Sequence, residues 1–310
     1  MSSTAQAPEL VLDARASTGE SPTWSEPEQV LYWIDVEGPF LHRFDPRTGQ
    51  DRSWAMPSQI GAFALCRSGC VLVALRTGLA RVDLTTGSFD LLAAPPYNPQ
   101  THRFNDGKCD ARGRFWIGTA FKPLKGAERP KGDMGPDGRA APIHMFDPVG
   151  GLQPRGAECV LANGLAWSLD DRTMHVTDTE ARTSFLYDFD PDRGTLSRPR
   201  VLTRFQENQG KPDGAAVDAE GRYWCALFGA GRVVRLQPDG SIEREIVLPV
   251  SQPTMCAFGG PDLDDLYITT ASAGLDEEAR RREPHAGGLF RCRPGVRGKP
   301  VPLFADRPGH

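Results

Sequence analysis

Short apolar runs rich in aromatic and β-branched residues recur along the chain, and each is closed by a turn. Leu31-Tyr32-Trp33-Ile34, Arg114-Phe115-Trp116-Ile117, Thr173-Met174-His175-Val176 and Arg222-Tyr223-Trp224-Cys225 are four of them. Aligned on Trp33, Val73, Trp116, Val176, Trp224 and Ile268, the runs are spaced by 40, 43, 60, 48 and 44 residues. Each unit ends in a turn: Asp45–Gly49, Asp83–Gly87, Asp147–Gly151, Asp190–Gly194, Gln237–Gly240 and Arg293–Gly295. In five of these a proline presets φ early in the turn, and glycine supplies the positive φ that closes it. Short strands with regular Gly/Pro turns predict an all-β chain. A period of about 40–45 residues fits one four-stranded blade. Six units therefore predict a six-bladed β-propeller, with residues 1–310 as one domain. The segment Glu9–Leu12 is expected to complete the last blade beside Val301–Phe304, which would remove exposed strand edges. Only Asp276–Glu283 looks helical, and it reads as a surface turn. The long gap holds residues 122–142, rich in Gly, Pro and charge without apolar alternation, so it predicts an insertion. A surface loop or a lid over a pocket mouth both fit it.

Composition narrows the setting. With 36 basic and 40 acidic residues, no nucleic-acid surface is expected. No apolar run approaches the roughly 20 residues that span a bilayer. The first residues are neither basic nor apolar, so no signal peptide is expected. Seven cysteines, odd in number and without a C-x-x-C pair, fit buried free thiols in a reducing cytoplasm. No dimer surface stands out, so a monomer is expected.

One position of the repeat carries chemistry. Before the apolar runs stand Glu20-Ser21, Asp106-Gly107, Asn163-Gly164 and Asp213-Gly214, with Ile60 and Thr254 in the other two units. If the units surround an axis, these side chains converge on it. Carboxylates and an amide, with no sulfur or imidazole, form a hard-oxygen set. It suits Ca²⁺, Mg²⁺ or Mn²⁺, and Zn²⁺ or Fe²⁺ less selectively. The plainer alternative is that Asp and Asn before Gly only make turns. Without a cation, acids gathered at an axis would repel one another or take up protons. No G-x-S-x-G and no H-E-x-x-H is present. Gly229-Ala230-Gly231 reads as a tight turn rather than a phosphate loop. His42 and His144 sit at matching positions and read as strand residues, whereas His102 adjoins Arg103 at the rim of the candidate pocket.

The stretches Gly19–Trp24, Arg103–Lys108, Asn163–Ser168 and Pro212–Gly214 resemble the SMP-30/gluconolactonase/regucalcin-like family. So do Gly231–Val233, Cys256–Gly260 and Ala286–Phe290, and the matches run in order over nearly the whole chain. The resemblance implies a six-bladed propeller with one divalent cation on its axis. It implies Glu20, Asn163 and Asp213 as metal ligands, and Asp213 as general base. It puts Arg103 and Asn105 in the substrate pocket, with Asp106 there too, beside the metal's water shell. The implied activity is hydrolysis of a sugar lactone of glucono-, xylono-, arabinono- or galactono- type to the aldonic acid. A non-enzymatic calcium-responsive propeller, or a metal-dependent hydrolase of another ester or a phosphotriester, are the alternatives. Better-known animal members carry a methionine and then a substrate-contacting acid after the segment matching Gly118-Thr119. Here those positions read Ala120 and Pro123, which leaves the choice of sugar open.

Overall fold

A computed structural model describes residues 7–127 and 139–306. Six four-stranded sheets fill it; in five the strands lie side by side in meander order, and in the sixth the N-terminal strand Glu9–Leu12 takes the outer place. The fold class is the six-bladed β-propeller expected from the repeat. The sheets fall three and three into two compact units. One unit, residues 7–55 with Leu202–Val301, holds blade 1 (Gly19–Ala55), blade 5 (Lys211–Val247) and blade 6 (Pro253–Cys292). The other, Met56–Val201 with residues from Pro302 onward, holds blade 2 (Ile60–Ala93), blade 3 (His102–Pro154) and blade 4, which opens at Ala162.

All six anchors lie in the second strand of their sheets and are at most 2% exposed. Full burial of one such side chain is worth roughly 1.5–3 kcal/mol. Two of the three tryptophan anchors are pinned by an acid six residues earlier. Trp116 Nε1 donates to Asp110 at 2.9 Å, and Trp224 Nε1 to Asp218 at 2.8 Å. The turns fall where the Pro and Gly positions put them, between third and fourth strands in blades 1 to 5. Gly229 and Gly231 take positive φ in the turn between Tyr223–Phe228 and Arg232–Leu236, which accounts for that G-x-G. His42 and His144 both lie on third strands. The helix is Glu277–Arg282, capped by Asp276, whose side chain accepts from the Ala279 amide. Among the described residues no helix is long and apolar enough to cross a membrane. All seven cysteines are free thiols, six of them buried.

One expectation about the termini needs correction. Glu9–Leu12 does complete blade 6, but it pairs with Leu289–Cys292 and not with residues 301–304. Phe304 instead bridges Cys66 in blade 2, exchanges backbone hydrogen bonds with Leu65 and Arg67, and stacks on Phe146. A short apolar run bounded by prolines fits an edge strand and a core plug equally well by pattern. Phe304 at 1% exposure is the plug.

Candidate functional site

The Asp-Gly and Asn-Gly pairs of the repeat are not turns. They lie inside the first strands of blades 3, 4 and 5, and the first strand of every blade is irregular at the corresponding point. In blade 3 Asn105 pairs with Gly118 and Gly107 with Ile117, so Asp106 is an extra residue in the ladder. The other breaks fall between Glu20 and Thr23, Ile60 and Ala62, Asn163 and Ala166, Pro212 and Ala215, and Pro253 and Met255. A bulge leaves one or more residues unpaired and re-aims their side chains. Gly164 takes φ of 61° in its bulge, and Ser21, after Glu20, takes φ of 50° at the corresponding place. A serine held left-handed costs about 1–2 kcal/mol, so the surrounding structure imposes that shape. Gly61 serves another purpose: a Cβ there would lie 2.0 Å from the Phe104 carbonyl oxygen, so only glycine lets blade 2 approach blade 3 so closely.

In the unit holding blades 2 to 4, the structure brings Arg103, Asn105, Asp106 and Asn163 together. All four are at most 8% exposed. Arg103 Nη1 donates to the Phe104 carbonyl at 2.8 Å and to Asn105 Oδ1 at 2.5 Å. Asn105 Nδ2 donates to the Ala162 carbonyl at 2.8 Å and to Asn163 Oδ1 at 2.9 Å. Asn163 Nδ2 donates to Thr179 Oγ1 at 2.8 Å. Asp106 Oδ2 accepts from the Leu165 amide at 2.9 Å, while Oδ1 is buried with no hydrogen bond. Burial pushes the Asp106 carboxyl above its ordinary range, although Lys108 and nearby backbone amides pull it the other way. A buried carboxylate with one bare oxygen is costly unless something positive meets it.

The other unit holds Glu20 on blade 1 and Asp213 on blade 5. The Ser21 amide donates to Glu20 Oε2 at 3.1 Å. Asp213 is 8% exposed and sits in its bulge beside Gly214. Thr254 of blade 6 is fully engaged, donating to the Gly19 carbonyl at 2.5 Å and meeting Thr269 Oγ1 at 2.9 Å. Ile60 offers no donor atom. Among the described residues no three His, Cys, Asp or Glu side chains gather as a metal group. The expected ligand set contains only two such residues, with the amide of Asn163 as the third. Its oxygens, with the bare Oδ1 of Asp106, are the hard donors a divalent cation takes.

His102 is not a rim residue. It is fully buried, its Nδ1 meets Thr101 Oγ1 at 2.9 Å, and its Nε2 donates to the Arg139 carbonyl at 3.2 Å. Burial lowers its pKa. The other end of the insertion is fastened nearby, where the Lys122 amide donates to the Thr101 carbonyl and Arg76 Nη2 to the Lys122 carbonyl. The segment that would act as a lid includes residues 128–138, which lie outside the described residues.

Residues 18–272 match the family model described as SMP-30/Gluconolactonase/LRE-like region. The chain belongs to this family. It is 38% identical to a 6-deoxy-6-sulfogluconolactonase of Pseudomonas putida, over 93% of this chain and 94% of that protein. It is 34% identical to regucalcin of Xenopus laevis, over 96% and 98%. The crystal structure of a calcium-binding protein, regucalcin, from Agrobacterium tumefaciens matches with a TM-score of 0.86 at 27% identity. That match covers 96% of this chain and 97% of that one. Membership accounts for the six blades. Thr179, which holds the Asn163 amide, is a residue that sequence reading passed over. It follows the second strand of blade 4, and only the folded turn brings it onto Asn163.

Proposed function

We propose that this chain is a metal-dependent sugar lactonase that opens an aldonolactone to the aldonic acid. The observation that carries the reading is the buried cluster of hard oxygens on bulged first strands, with Asp106 Oδ1 unpartnered inside it. Glu20, Asn163 and Asp213 are the proposed ligands of one divalent cation, Ca²⁺, Mg²⁺, Mn²⁺, Zn²⁺ or Fe²⁺. Such a cation, when bound, supplies Lewis-acid polarisation of the ester carbonyl. Membership of a family that includes a calcium-binding regucalcin supports a divalent ion.

The protein's own groups do the rest. Asp213 accepts a proton as water adds to the lactone carbonyl carbon, and general-base help of this kind gives roughly 10²–10⁴-fold. The ring C–O bond then breaks, and the leaving alkoxide takes back the proton held on Asp213 to become the hydroxyl of the acid. Arg103 donates to a ring or exocyclic oxygen, the second lone pair of Asn105 Oδ1 accepts from a ring hydroxyl, and together they hold the ring in place. Asp106 accepts from a sugar hydroxyl or a water beside the cation.

The test is lactone hydrolysis followed by a pH indicator in weak buffer, on protein stripped of metal and resupplied with each cation. The panel holds glucono-, galactono-, xylono- and arabinonolactone, with 6-deoxy-6-sulfogluconolactone because the Pseudomonas relative is named for it. Asp213→Ala removes a ligand and the base together, and turnover should fall by at least about 10³-fold. Near-normal turnover in that variant would sink the mechanism. No turnover on any lactone, in a protein that still binds a divalent ion, would favour another ester or a binding role.

A further inference from the structure

Arg103 begins a hydrogen-bonded chain whose direction is forced. A guanidinium only donates. Its Nη1 points at Asn105 Oδ1 at 2.5 Å, so the oxygen of that amide faces Arg103 and its nitrogen faces away. The same orientation is required at the other side, because Asn105 Nδ2 meets the Ala162 carbonyl, which only accepts. The second hydrogen of Nδ2 then falls on Asn163, at 2.9 Å, and only an oxygen can take it. Asn163 is thereby set with Oδ1 toward Asn105 and Nδ2 toward Thr179 Oγ1, 2.8 Å away. The reverse setting would put two NH₂ groups face to face. A carbonyl oxygen has two lone pairs, and Asn105 uses one of them. Thr179 is 4% exposed and Asn163 2%, so no water replaces the hydroxyl if it is lost.

We infer that Thr179 is a positioning residue which, with Arg103 and Asn105, fixes the Asn163 amide with its oxygen presented for a cation. This rests on the reading of Asn163 as a ligand. Asn105 sets which end of the amide is which. Thr179 pins the far end, and without it the amide is free to turn about its own axis and Nδ2 is buried unpaired. Groups that orient a ligand in this way are typically worth about 10–100-fold in metal affinity. Arg103 acquires a second task beside holding substrate.

The full chain, stripped of metal, is titrated calorimetrically with Ca²⁺ and with Mn²⁺, and the melting of each variant is followed in chelator. Thr179→Val keeps the outline and removes the hydroxyl, and Thr179→Ser keeps the hydroxyl. We expect T179V to raise Kd by about 10–100-fold. T179S should stay within roughly threefold of wild type, since it keeps the acceptor. A purely structural role would lower the chelated melting temperature of T179V and leave Kd unchanged. Asn163→Ala separates the two levels. If N163A loses the ion while T179V binds as wild type, the positioning role is wrong and the ligand stands. If N163A binds as wild type, or the wild type binds neither ion, the ligand reading is wrong and the inference falls with it. Should T179V not fold, Thr179→Ala is titrated in its place, and an unchanged Kd there overturns the inference equally.

Discussion

Blade 3 carries two buried aspartates in one short stretch, and they have opposite fates. Asp110, 1% exposed, closes the hairpin after the first strand. Its carboxylate accepts from the Arg112 and Arg114 amides at 3.0 Å, from Arg114 Nε at 2.7 Å and from Trp116 Nε1 at 2.9 Å. Asp106, 3% exposed, sits in the bulge, with one oxygen on a backbone amide and the other bare. Burial alone does not distinguish them. The difference is whether the fold supplies donors. A fully met carboxylate is part of the scaffold, and an unmet one is held ready for something else. Blade 5 repeats the first case. Asp218 is fully buried and accepts from the Glu220 and Arg222 amides, Trp224 Nε1 and Arg235 Nε.

The largest effect on stability is expected at Asp110. Asp110→Ala strands the Trp116 N–H in the interior and takes the charge partner from the half-buried Arg114, which keeps the Pro191 carbonyl, and breaking a buried pair of this kind costs about 3–5 kcal/mol. The melting temperature should fall by roughly 10 °C for a chain of this size. A drop of only a degree or two would mean that the donors find other partners, and the contrast with Asp106 would lose its first half.

The scaffold acid left a mark in the sequence that its reading passed over. Asp110-Ala111-Arg112-Gly113-Arg114-Phe115-Trp116 and Asp218-Ala219-Glu220-Gly221-Arg222-Tyr223-Trp224 share one pattern. The Trp anchors and the closing turns were read correctly because each depends on local chemistry: an apolar strand, a proline φ, a glycine φ. Glu20, Asp106, Asn163 and Asp213 stood out for the same reason, as polar residues at one phase of the repeat. The bulges were not legible, since an extra unpaired residue leaves no mark in composition and shows only when the ladder is counted. Thr179 was hidden because its contact with Asn163 spans 16 residues and depends on a turn closing over the strand. The place of Phe304 was hidden because apolarity says that a side chain is buried, not against which sheet.

A group outside the site extends the contrast to a cation. His144, on the third strand of blade 3, is 5% exposed, its Nδ1 has no hydrogen bond, and burial lowers its pKa from 6.5 to about 4. The folded protein therefore binds this proton more weakly than the unfolded chain does. Its cost is absent above the unfolded value and grows as pH falls from about 6.5 toward 4. At about 1.4 kcal/mol per tenfold change in affinity, the loss approaches ~3 kcal/mol at the acid end. His144→Leu should flatten that part of the curve of melting temperature against pH. An unchanged acid slope in H144L would show that the neutral ring is not held by burial.

The smallest stability change is expected at Asp106, and it decides the comparison. Asp106→Asn keeps the shape and an oxygen for the Leu165 amide, and it removes the charge that burial penalises. Stability at neutral pH should stay within ~1 kcal/mol of wild type or rise, because no ion pair is broken. Lactone turnover should nevertheless fall by roughly 10²-fold, the scale of one lost electrostatic contact at a reacting centre. The two readouts moving apart is the signature of a group the fold leaves unmet for function. If D106N melts as low as D110A, Asp106 belongs to the scaffold after all. If it melts like wild type and turns over normally, the bare oxygen serves neither stability nor catalysis, and the proposed site must be redrawn without it.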